Sequence, residues 1–75
     1  MPLNDLVSQE LRDKPANITD ETGRQTHRRW DSFAHVQLMV AVEDQYSVKF
    51  SNSEIEQIQN VGQLRALLRD KGVVA

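Results

Sequence analysis

Leu3, Leu6, Val7 and Leu11 recur at helical spacing, while Asp5, Glu10, Arg12 and Asp13 lie largely off that stripe. This pattern predicts a first helix over Leu3 to Lys14. Pro15 is expected to stop it, because proline has no amide hydrogen to continue the ladder. Residues 15–31 then read as a connection rich in turn formers (Pro15, Asn17, Thr19, Asp20, Thr22, Gly23, Thr26), with Ile18 and Trp30 as its anchors to a core. So long a connection in so small a chain means either that an element is wrongly assigned or that the loop is functional.

From Ser32 to about Tyr46 the pattern predicts a second helix, in which Phe33, Val36, Met39, Val40 and Val42 are expected to form one broad packed face. Glu43-Asp44-Gln45 closes it, and those acids stand at the end where the helix dipole disfavours negative charge. They read equally well as a solvated end or as a mark for a partner. Ser47 to Phe50 reads as a short extended linker with Val48 and Phe50 turned inward. Ser51 and Ser53 each precede a glutamate three positions on, offering two overlapping capping boxes for a brief third helix that carries Ile55 and Ile58. Asn60 caps a last helix whose face is Val61, Leu64, Leu67 and Leu68. Arg65, Arg69 and Lys71 suit its carboxyl end, and Gly72 supplies a left-handed stop. The expected fold class is all-α: four helices, the third short, with one long loop before the second.

At 75 residues the chain has room for one small domain, expected over residues 1–75. A net charge of −2, from 11 acidic and nine basic residues, is too balanced for a clamp on nucleic-acid phosphates. The absence of cysteine excludes a disulfide framework and thiolate metal sites, and fits a reducing cytoplasm. Val36 to Val42, the longest mainly apolar stretch, falls far short of the roughly 20 residues of a membrane span. The start lacks the layout of a signal peptide.

Little in the chain suggests catalysis or metal binding. His27 and His35 stand eight apart with no zinc pattern around them, and both read as lone surface histidines. Asp31, Ser32 and His35 supply the residue types of a hydrolytic triad, but within about one helical turn, where base and nucleophile cannot converge from separate elements. Arg24, His27, Arg28 and Arg29 beside Trp30 form a basic cluster that nothing later in the chain extends. A solvated loop with Trp30 tucked inward explains it better than a phosphate or base site. Asp31-Ser32 has two readings. Both residue types cap a helix start. A serine hydroxyl on a first turn is also reachable by another protein's active site, and a phosphodiester there would meet the positive end of the helix dipole. Asp31 could then offer an oxygen to a magnesium ion carried by the modifying enzyme.

From Trp30 onward the chain resembles the acyl carrier protein family, the phosphopantetheine-binding carrier domains. The resemblance rests on Asp31-Ser32-Phe33, the apolar run to Val42, the acids Glu43-Asp44, the aromatic Tyr46 and the extended Ser47-Val48-Lys49-Phe50, followed without a gap by the short third helix and the fourth. It implies a four-helix bundle with a long loop between helices one and two. It implies further that Ser32 is the attachment site of 4′-phosphopantetheine, with Asp31 assisting the modification. Phe33, Gln37, Glu43 and Asp44 would contact partner enzymes, and Phe33, Val36 and Val40 would line an acyl-chain pocket. The expected partners are a phosphopantetheinyl transferase, an acyl- or aminoacyl-loading ligase, and a downstream synthase or acyltransferase. Arg28-Arg29-Trp30 replaces the Gly-containing approach frequent in the family, and the Trp-Asp-Ser start is similar to carriers of specialised pathways. The protein is thus expected to be a cytoplasmic, monomeric carrier and not an enzyme, binding no metal, nucleic acid or membrane. The rival reading is an unmodified helical adaptor that uses the second helix's face.

Overall fold

The computed structural model describes residues 2–74; Met1 and Ala75, the ends of the expected domain, lie outside the described residues. Four α-helices make up the architecture: α1 (Leu3–Leu11), α2 (Ser32–Tyr46), α3 (Asn52–Gln57) and α4 (Val61–Asp70), with a 3₁₀ turn at Pro15–Asn17. Among the described residues there is no β-strand, only an isolated antiparallel bridge between Gly23 and Asn60. The core gathers Leu3, Leu6, Val7 and Leu11 of α1, Leu38, Met39 and Val42 of α2, and Val61, Leu64 and Leu68 of α4, all buried. Ile18 and Trp30 drop into it from the long loop, as their isolation among turn formers predicted. Phe50 and Ile58 enter from either side of α3, and Val48 and Ile55 pack against the rim.

The helix boundaries follow local chemistry. Ser51 Oγ accepts from the Glu54 amide (3.1 Å) while Glu54 Oε1 accepts from the Ser51 amide (2.9 Å), so the first of the two capping boxes is the one formed. Asn60 caps α4 by accepting from the Gln63 amide. Gly72, at φ 84°, ends the same helix, with its amide on Arg69 O and the Val73 amide on Leu68 O. α1 stops earlier than Pro15 would require. Arg12 adopts a left-handed conformation (φ 57°), its amide donates to Gln9 O, and the Asp13 amide donates to Ser8 O. This is the same terminating motif built without glycine, and Pro15 instead opens the 3₁₀ turn.

The orientation of α2 corrects the packed face expected from the sequence. Its buried residues are His35, Leu38, Met39 and Val42. Phe33, Val36 and Val40 are 74%, 54% and 48% exposed, so only Met39 and Val42 of the expected face are in the core. The reason is that α2 is apolar on both sides, and periodicity alone cannot choose between them. Tertiary contacts make the choice.

Candidate functional site

Asp31 and Ser32 sit where the long loop enters α2. Asp31 is the N-cap: its backbone is extended, and its Oδ1 accepts from the Ala34 amide at 2.8 Å. Its carbonyl takes the His35 amide, which closes the first turn. Ser32 occupies the first helical position with its side chain exposed. Among the described residues no group is bonded to Ser32 Oγ or to the Ser32 and Phe33 amides. The arrangement is an accessible primary alcohol beside two unsatisfied N–H donors at the positive end of a 15-residue helix. Those donors fit an anionic phosphodiester on the hydroxyl.

The candidate partner residues follow from the helix geometry. At 100° per residue, Ser32, Phe33, Val36, Gln37, Val40 and Asp44 fall on one side of α2, opposite the buried stripe. All six are exposed, and three of them are large and apolar. Phe33, Val36 and Val40, the residues expected at an acyl-chain pocket, therefore face solvent on the outer side of the helix. Glu43 lies on the same side but is half-buried, since its Oε2 accepts from the Phe50 amide at 2.8 Å. That bond supplies a local reason for an acid at the unfavourable end of the helix. Asp44 remains fully available. An open groove of about 1000 Å³ runs between the end of α1 and the start of α2, with Arg12, Arg28, Asp31, Phe33 and Gln37 among its walls.

The two histidines are not lone surface residues. His35 is buried: Trp30 Nε1–H donates to its Nδ1 (2.9 Å), and the other ring nitrogen, Nε2, lies 2.7 Å from Ile55 O of α3. With Nδ1 accepting, Nε2 carries the proton and donates to that carbonyl. The two rings stack with centroids 6.1 Å apart. His35 is therefore committed on both nitrogens, and the triad reading fails for want of a base as well as for geometry. His27 is half-buried, with its Nε2 2.8 Å from Asp13 Oδ2 and its Nδ1 accepting from the Arg29 amide. Arg29 reaches back to the carbonyls of Leu11 and Arg12. Much of the basic cluster is thus spent on tying the loop to α1, which leaves Arg28 exposed. Among the described residues no group of three metal-ligating side chains comes together. The Trp30–His35–Ile55 connection was not foreseen from the sequence. Its only trace there is a polar residue, His35, set at core spacing from Leu38, Met39 and Val42.

No protein-family profile and no curated protein matches the chain. Among solved structures that do match, the solution structure of a holo acyl carrier protein from Geobacter metallireducens is similar to it with a TM-score of 0.79 and 33% sequence identity, over 95% of this chain and 86% of that one. With identity at that level sustained over nearly the full length of both chains, and a four-helix fold that presents Asp31-Ser32 at the head of α2, the chain belongs to the acyl carrier protein family.

Proposed function

We propose that the protein is a carrier whose holo form bears 4′-phosphopantetheine on Ser32 and presents an acyl or aminoacyl group, held as a thioester, to partner enzymes. The observation that carries the assignment is the exposure of Ser32 at the start of α2, its hydroxyl bonded to no other described group. The arm supplies the thiol; the protein supplies attachment, orientation and recognition. Asp31 uses one carboxylate oxygen as the cap, and the second can meet a magnesium ion in the transferase. The exposed side of α2 is the surface a transferase, a loading ligase and a downstream synthase or acyltransferase would share. Phe33, Val36 and Val40 give it an apolar ridge, and Asp44 supplies charge that biases the encounter. Service to a specialised pathway agrees with this face, which is more apolar than acidic. A reducing cytoplasm would keep the arm's thiol free, and a monomer leaves the face open. No helix among the described residues is long and apolar enough to cross a membrane.

Incubation with coenzyme A and a broad-specificity phosphopantetheinyl transferase tests the reading by intact mass. The wild type should gain one phosphopantetheine group and Ser32→Ala none, with a nearly unchanged melting curve because the side chain is exposed and bonded to no other described group. A wild type that stays bare with several transferases would favour the adaptor reading.

A further inference from the structure

We infer that Trp30 and His35 close the bundle beneath Ser32, so that the carried group stays outside the helices and is short or polar, not a long alkyl chain. The inference rests on the carrier reading and adds the class of cargo. Trp30 is 1% exposed and His35 is 4% exposed, two residues before and three residues after the modified serine. Together they span from the loop through α2 to α3, by way of the bonds from the indole to His35 and from His35 to Ile55 O.

The far end of this relay satisfies a group that α3 cannot satisfy itself. Ile55 O lies in the last turn of a short helix. The amide that would take it in a longer helix, that of Gln59, donates to Gln63 Oε1 instead (2.7 Å). His35 Nε2–H fills the vacancy. Among the described residues no buried side-chain polar atom lacks a partner. An alkyl chain entering between α2 and α3 would have to part these groups. An indole N–H, an imidazole and a carbonyl would then be left unpaired in a dry interior, a penalty that apolar contacts with the chain must first overcome. The residues that would otherwise shelter a chain, Phe33, Val36 and Val40, face solvent, and the groove beside Ser32 is open and walled mainly by polar side chains. An unsheltered alkyl chain becomes more costly in water with each methylene, which confines the natural cargo to short or polar acyl and aminoacyl groups.

Loading Ser32 with acetyl or octanoyl phosphopantetheine, by transfer from the corresponding acyl coenzyme A, tests this. Intact mass first establishes the load; absence of any load counts against the carrier reading itself. Given the load, the acetyl and octanoyl forms should melt within about 1 °C of each other. The methyl resonances of Leu38, Leu64 and Leu68 should also coincide in the two forms. An octanoyl form that melts several degrees higher, with those methyls shifted, would overturn the inference and leave the carrier reading intact. Trp30→Ala should open the space and make melting depend on chain length. A folded, loaded variant as insensitive as the wild type would show that Trp30 is not the closing residue, and would overturn the assignment. Where that variant does not fold, the wild-type comparison decides alone.

Discussion

Leu38 and Val40 are two residues apart on α2 and similar in chemistry, yet the first is fully buried and the second is 48% exposed. Val40→Asp should therefore cost only about 1 kcal/mol, from its half-buried surface and from a new charge one turn before Glu43 and Asp44. Leu38→Ala should cost about 2–5 kcal/mol by leaving a cavity. Urea titrations of the two variants check this, and a Val40→Asp variant as damaged as Leu38→Ala would mean that α2 is turned the other way. The sequence could not make the distinction, because an apolar side chain states its preference for burial without stating which neighbours will bury it. Asp31 was legible for the opposite reason: a cap bonds to an amide three residues away, so its partner is already written beside it. Glu43 lies between these cases. Its charge was visible, but its partner, the Phe50 amide, is placed by a turn through Ser47 at φ 55° that no glycine announces.

The long connection before α2 is held as firmly as a regular element. The Arg24 amide donates to Gln59 O, the Val61 amide to Thr22 O and the Gly62 amide to Asp20 O, so the loop is laced to the start of α4. Thr22, buried in this segment, accepts from the Thr19 amide, and Thr26 Oγ1 accepts from the Gly23 amide. Gly23 permits the approach: a Cβ placed there would lie 2.2 Å from Gln59 O. Gly23→Ala should thus destabilise the fold by about 1–3 kcal/mol, as backbones are forced apart. Thermal melting reads the loss, and a variant as stable as the parent would show that the lacing is dispensable. The positions of the four helices were readable from periodicity and caps. The lacing was not, because hydrogen bonds between backbone groups leave no mark in side-chain identity. The end of α1 was misplaced for the same reason: Arg12 closes it with its backbone.

Across the whole molecule, acid should act through two carboxylates that tie distant segments together. The Asp13 carboxyl is held at about 2, below the ordinary 3.8, by the Asn17 side-chain amide first, then by His27 and the Lys14 amide. Glu54 is lowered by the Ser51 amide first and by Lys71, which it meets at 3.2 Å across α3 and the end of α4. A carboxylate depressed in the folded state contributes its full stability above the unfolded value and loses it as pH falls through the folded one. Stability should accordingly be level near neutrality on this account and fall from about pH 4 toward pH 2. Asp13→Asn should flatten part of that slope, measurable as urea midpoints at pH 5 and pH 3, and an unchanged acid limb would remove Asp13 from the explanation. Trp30 has one more consequence for the molecule as a whole. It is the sole indole in the chain, and it is wedged under the head of α2. Intrinsic fluorescence excited at the indole band therefore comes from a single known place. A blue emission maximum signals a sealed interior and a red one a flooded interior, so the isolated, unlabelled protein reports whether that interior opens when the arm is attached and loaded.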